Sequence, residues 1–229
     1  MDKGNLFAYA VVSLWPMLAL YLYKTKSIQV ATIWTILGGY MLLPVHTQFD
    51  LPLIPPLGKD NMPIVSTLVG LWLIKGKIVS FRSNYGWVKV LLFLFLLSPL
   101  VTVYFNGDHI NVGGRTLPGL TSHDAMSMLL NQWLIIVPLL LGRQFFRTHE
   151  QQLLMFKTLV VAGLFYSILM LFEIRMSPQL HTWLYGYFPH NFGQQVRDGG
   201  FRPVVFMGHG LLVAFFGMII ALSATTLWK

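Results

Sequence analysis

Apolar residues run through this chain in blocks long enough to cross a bilayer, and polar residues are swept into the gaps between them. A helix needs about 20 apolar residues to span the hydrocarbon core. Seven blocks meet or approach that length: residues 5–23, 27–43, 62–74, 87–105, 125–141, 152–172 and 204–228. The third is the shortest, ending at Lys75, and reaches about Val79 only if Lys75 and Lys77 snorkel to the interface. The pattern predicts an all-α, polytopic transmembrane protein of about seven spans, folded as a single transmembrane domain over residues 1–229. The first block is too long for the core of a cleavable signal and lacks a small-residue cleavage site, so it reads as a retained span.

The gaps differ in length and charge. One set is short and holds Lys24, Lys26, Lys75, Lys77, Arg82, Arg143, Arg147 and Lys229, with Lys89 and Lys157 at the adjoining span ends, against the single acid Glu150. The other set holds Lys3, Lys59, Arg115, Arg175, Arg197 and Arg202 against Asp2, Asp50, Asp60, Asp108, Asp124, Glu173 and Asp198. The positive-inside rule puts the first set in the cytoplasm. Were the third block not to cross, Arg143 and Arg147 would fall opposite Lys24 and Lys26. The charges therefore favour seven crossings with the N-terminus outside. An odd span count closing at Lys229 predicts the N-terminal part of a longer protein.

Composition agrees. Hydrophobic residues make up 55% of the chain and charged residues 10%, less than half the share of about 25% usual in soluble domains. Mean hydropathy is +0.63. The net charge of +8 is divided by topology rather than gathered in a patch, which argues against nucleic acid as a partner. There is no cysteine, so disulfides and thiolate metal sites are excluded.

Chemistry is expected outside. Six of the seven histidines (His46, His109, His123, His181, His190 and His209) fall on or near that face. The longest outer gap, residues 173–203, reads as a long outer loop carrying Arg175, His181, His190, Arg197, Asp198 and Arg202. Ser177-Pro178 looks like an N-cap and first helical position, and Leu180, Trp183, Leu184 and Tyr187 recur at helical spacing. That predicts an amphipathic helix lying in the interface. Gly199-Gly200 gives a flexible turn between Arg197 and Arg202.

Arginines are usually sparse in short outer loops. Arg197 and Arg202 are the leading candidates for an anion site, because a guanidinium fork fits phosphate oxygens. Binding of lipid headgroups, or pairing with Asp198 and Glu173, explains them equally well. His190 and His181 suit acid–base work near neutral pH, although for either alone an interfacial hydrogen bond is the plainer reading. His209, in the run MGHG, sits at the mouth of the last span, and an interhelical hydrogen bond is its alternative. Glu173 and Arg175 read as an ion pair at the end of the sixth span. Asp108, Arg115, His123 and Asp124 populate the second outer loop, with nothing in their spacing that demands a role. No metal-ligand spacing, nucleotide fingerprint or nucleophile elbow is present, so no metal or cofactor is expected. Ionisable residues are nearly absent from the span interiors, which argues against a proton-coupled transporter.

The runs FEIRMSPQLHTWLYGYFPHNF and RDGGFRPVVFMGHG resemble the O-antigen ligase-like family of bacterial membrane proteins, which includes O-antigen ligases and polymerases. Arg197 and Gly208 fit the R-x10-G pattern associated with the polymerases, and the runs FDLPLIPPLGKDNMP and LPGLTSHDAMS are similar to that family's N-terminal half. The resemblance covers essentially all of this chain but about half of a usual member. It implies a multi-pass protein of the bacterial inner membrane with its active site on the periplasmic face. It implies transfer of a polyprenyl-diphosphate-linked glycan to a lipid or sugar acceptor, without metal or nucleotide. Arg197, Arg202 and Arg175 would hold the donor diphosphate, and His190 or His209 would serve catalysis. A non-enzymatic membrane subunit of a polysaccharide assembly or export system is the alternative.

Overall fold

The computed structural model describes residues 4–81 and 85–228, with residues 112 and 115 by their backbone only. Asp2, Lys3, Arg82 and Lys229, and the Arg115 side chain, therefore lie outside the described residues. The chain forms a helical, multi-pass membrane protein. Five helices are long and apolar enough to cross a bilayer by length and composition: α1 (Leu6–Thr25), α4 (Gly86–Phe105), α5 (Ser122–Phe145), α6 (His149–Met176) and α8 (Gly210–Trp228). Two apolar helices are shorter, α2 (Ile28–Leu42) and α3 (Met62–Lys75), and α7 (Leu180–Tyr185) is a single short helix in the long loop. These leave large apolar side chains exposed along their lengths, among them Leu14, Phe93, Leu164 and Phe215. A surface of that kind is at home in hydrocarbon and not in water.

The chain divides into two compact units. The first comprises Met1–Gln48, Gly58–Ile78 and Phe145–Lys229. Within it α1 packs on α2 and α3, α2 on α3 and α6, and α6 on α8. Glycines set the closest approaches: a Cβ at Gly39 of α2 would collide with Pro63 of α3, and one at Gly70 of α3 would collide with the Tyr23 ring of α1. Polar groups on these helices pair with one another, as Trp15 Nε1 donates to Thr35 O at 3.2 Å and Tyr23 meets Thr32 Oγ1 at 2.7 Å.

Hydrogen bonds sort the helix ends of this unit into two sets. Lys75 Nζ at the end of α3 donates to Lys26 O after α1, at 3.2 Å, and Lys77 stands over the Phe145 ring at 5.9 Å. At the opposite ends, Asn5 caps α1 by accepting from Ala8 N–H at 2.9 Å. The same residue donates from its side chain to Leu184 O and from its backbone to Tyr185 O, each at 3.0 Å. Tyr185 donates its hydroxyl to Leu42 O. The start of α1, the end of α2 and the long loop thus share one end, and α2 and α3 run between the two ends as the longer helices do. Helix α3 stops at Lys75, where Gly76 takes a left-handed φ of 59°, so the extension to Val79 does not occur.

The second unit comprises Phe49–Leu57 and Val79–Gln144. It holds α4, most of α5, and a hairpin that the apolar pattern did not foresee: β1 (Ile110–Val112) pairs antiparallel with β2 (Arg115–Leu117). Gly113 and Gly114 turn it with positive φ, a conformation cheap only for glycine. Gln132 Nε2 on α5 donates to Phe95 O on α4 at 3.2 Å. Asp124 accepts from both the backbone and the hydroxyl of Thr121 at 2.7 Å, closing the start of α5.

Candidate functional site

The long loop is built around two buried acceptors and one buried histidine. Glu173, on the last turns of α6 and fully buried, does not pair with Arg175 as the sequence suggested. Its Oε1 accepts from Leu180 N–H at 3.1 Å, and its Oε2 accepts from Val204 and Val205 N–H at 2.8 and 2.7 Å. Tyr166 Oη, about two turns earlier on α6, accepts from Phe206 N–H at 3.1 Å. Three of these bonds hold residues 204–206 in an irregular path, and α8 begins only at Gly210, six residues after the apolar block starts. A β-branched residue, Val205, is held there at φ 50°, a conformation costly enough to need such clamping.

Ser177, read from the sequence as an N-cap, instead ends α6 with φ 79°. Helix α7 starts at Leu180 after Gln179, without a side-chain cap, and stops at Gly186 with φ 87°. Its two faces differ as expected of an interfacial element: Trp183 and Leu184 are exposed, His181 and Tyr185 are buried. Tyr187, assigned to the same outward stripe as Trp183, is buried and shares a hydrogen bond of 3.1 Å with Thr47 Oγ1.

His181 proves to be a structural histidine. Its Nδ1 donates to Tyr187 O at 2.8 Å, and its Nε2 accepts from Val45 N–H at 3.4 Å. Both ring nitrogens are spoken for, and only the neutral ring can do this. Burial, in the first place, lowers its pKa to about 4. The sign follows: the unfolded chain binds this proton near the ordinary value of about 6.5, the folded chain only near 4, so stability is complete above 6.5 and is lost as pH falls toward 4. The thermal midpoint of the wild type is expected to drop across that window. A His181→Gln variant, with an amide that cannot titrate, is expected to show a flatter profile in the same melts. Lys59 is another buried titratable group at this end, donating to Leu43 O at 2.7 Å at the close of α2, and burial lowers its pKa to about 7.

The remaining candidates separate. Arg175 and Arg197 are exposed, the latter donating to Val196 O at 2.7 Å. Arg197 belongs to β3 (Val196–Arg197), which pairs with β4 (Gly200–Phe201) in register Val196↔Phe201 and Arg197↔Gly200. Asp198 and Gly199 close this hairpin, Gly199 at φ 84°. The ladder continues one step, with Arg202 N–H donating to Gln195 O at 2.8 Å. Arg202 is thereby led to the head of α8, where a Cβ at Gly210 would run into its Cγ and Cδ.

His190 and His209 meet in the same place. Their rings lie edge to face with centroids 4.6 Å apart. His46 Nε2, hydrogen-bonded to Pro189 O at 3.2 Å, steadies the approach to His190. His209 Nδ1 accepts from Leu211 N–H at 3.0 Å and its carbonyl accepts from Leu212 N–H at 3.0 Å. It is therefore the N-cap of α8, a position that satisfies backbone donors left over at a helix start. With Nδ1 accepting, the neutral ring carries its proton on Nε2 and has no free lone pair. Desolvation first, then His190 and Arg202, hold His209 below its usual pKa.

Gln195 was not singled out in the sequence, and nothing about a glutamine in FGQQVR marks it. It ends a 3-10 turn (Phe192–Gln195) that Asn191 caps by accepting from Gly193 N–H at 2.9 Å. Its side chain is fully buried, and neither Oε1 nor Nε2 finds a hydrogen bond among the described residues. Its Oε1 lies 3.2 Å from where a Gly210 Cβ would sit. A buried amide left unsatisfied costs about 1–3 kcal/mol.

The start of the 19-residue α8 thus brings together the Arg202 side chain, two imidazoles and the unpaired Gln195 carboxamide. A helix start favours negative charge, so the arrangement suits an oxyanion with a hydroxyl group beside it. Among the described residues, no group of three or more His, Asp or Glu side chains could hold a metal ion. Comparison with protein-family profiles, with curated proteins and with solved structures finds no match to this chain.

Proposed function

We propose that this chain is the membrane half of a glycan transferase that moves a polyprenyl-diphosphate-linked glycan to a lipid or sugar acceptor on the periplasmic side of the bacterial inner membrane. In this reading all seven apolar helices cross, and the N-terminus and long loop face the periplasm. The observation that carries it is the meeting of Arg202, His190 and His209 at the head of α8. The resemblance to the O-antigen ligase-like family supplies the donor class.

The chemistry is a displacement at the anomeric carbon. The acceptor oxygen forms the new glycosidic bond, the bond from carbon to phosphate oxygen breaks, and polyprenyl diphosphate departs with the electron pair. Arg202 and the α8 start would meet the charge growing on the leaving group, an electrostatic task suited to a preorganised guanidinium. His190 would take the acceptor proton. Because His209 Nδ1 is occupied by Leu211 N–H, that residue is better suited to donate from Nε2 than to act as base. Arg197 and Arg175, exposed on the hairpin and on α6, would steer the donor headgroup toward the surface rather than bind the reacting phosphate.

Arg202→Ala is expected to abolish transfer by the full-length protein in membranes supplied with lipid-linked glycan, and Arg202→Lys to restore part of it. The lysine ammonium keeps the charge but not the fork. Undiminished turnover by the alanine variant would reject the reading and favour a non-enzymatic subunit.

A further inference from the structure

We propose that Gln195 and Arg202 form a phosphate cradle at the head of α8, in which the Gln195 carboxamide reads the ligand and the Arg202 stem covers that carboxamide until a phosphate draws the guanidinium outward. The inference rests on the reading that the outer face receives a phosphate-bearing substrate.

Three observations lead to it. The backbone donors at the start of α8 are largely committed, since Leu211, Leu212 and Val213 N–H all point to His209. A ligand at this helix start must therefore be read by side chains. Gln195 is the side chain there with unused capacity, buried and without a partner for either polar atom. A glutamine kept in such a position is hard to explain by folding alone, because leucine of similar volume would fill the space without an unmet hydrogen bond. Arg202 and Gln195 are cross-strand neighbours through the Arg202 N–H to Gln195 O bond of 2.8 Å, and both side chains pack on Gly210. The absence of a Cβ at Gly210 gives the Arg202 stem its place, and an aliphatic stem of that length moves by rotating its own torsions. One motion then meets every demand: the guanidinium swings to the phosphate, its inner N–H reaches Gln195 Oε1, and Gln195 Nε2 donates to a phosphate oxygen. His209, with Nε2–H free to donate, completes the rim.

The test uses the full chain in phosphatidylcholine nanodiscs, wild type and Gln195→Leu. Thermal midpoint and dissociation constant are measured with inorganic pyrophosphate, geranylgeranyl diphosphate, geranylgeraniol, and discs doped with phosphatidylglycerol. Expected is a Gln195→Leu protein that melts at or above the wild-type temperature alone, yet binds diphosphate about tenfold more weakly, the loss of one hydrogen bond to a charged group. Equal tightening by pyrophosphate and the prenyl ester would support a cradle for free phosphate. Tightening by the prenyl ester alone would support one for a lipid-borne phosphate. A response only to phosphatidylglycerol would overturn the proposal. So would a Gln195→Leu protein that melts lower and binds diphosphate unchanged, since Gln195 would then be structural. Diphosphate binding lost in Gln195→Leu, in a wild type that transfers no glycan, would keep the cradle and remove the transferase reading.

Discussion

Glu173→Ala is expected to loosen the long-loop end of the first unit and lower stability by about 3 kcal/mol or more, since it strands backbone donors that cost about 1–3 kcal/mol each when buried. Three N–H groups converge on this carboxylate, from Leu180, Val204 and Val205. They belong to the start of α7 and to the stretch entering α8, so one side chain of α6 ties together three parts of the chain. Neither water nor another side chain can take over, because Glu173 has no exposed surface. Glu173→Gln is expected to fall between wild type and alanine. Its remaining carbonyl-type oxygen can still accept, but its amino group would face an N–H. Thermal unfolding of the detergent-purified full chain reads the difference. A midpoint in the alanine variant equal to the wild type would show that the carboxylate is not the joint described here.

The second large effect separates the paired histidines. If His190 takes the acceptor proton, His190→Ala is expected to lower the transfer rate about 10²–10⁴-fold, the usual worth of a positioned general base, with the fold intact. His209→Asn should behave differently. Asparagine keeps an oxygen that can accept from Leu211 N–H, so the cap on α8 survives, and the transfer rate should fall about tenfold at most, the worth of one hydrogen bond. His209→Ala loses the cap and should cost about 1 kcal/mol of stability. Single-turnover rates beside thermal melts distinguish the cases. Equal losses in His190→Ala and His209→Asn, with unchanged melts, would mean that both imidazoles serve the chemistry and that the division by tautomer is wrong.

The helices were legible in the sequence because a bilayer demands long apolar blocks, and α1, α2 and α4 begin and end within about two residues of theirs. The late start of α8 has a tertiary cause. Residues 204–209 are as apolar as a helix, but Glu173 and Tyr166 capture the N–H groups of Val204, Val205 and Phe206 from 31 to 40 positions away. No local pattern records such a bond. Ser177-Pro178 also misleads, having the composition of a helix start while Ser177 serves as a helix end. In the site, residue type marked Arg202, His190 and His209, whose chemistry is visible wherever they stand. It did not separate Arg202 from Arg197, because exposure and company are tertiary facts. Gln195 carried no signal at all, since what distinguishes it is the partner it lacks.

Asn5 holds the head of α1 to Leu184 and Tyr185, nearly the whole chain apart. During biosynthesis the first helix enters the membrane long before its companion residues exist. Its first turn has to wait for six further helices, α2 to α7, to be made before it can be fastened. The latch closes only once α7 has been made, so labelling of this tip during translation would time the moment at which the long loop is fastened.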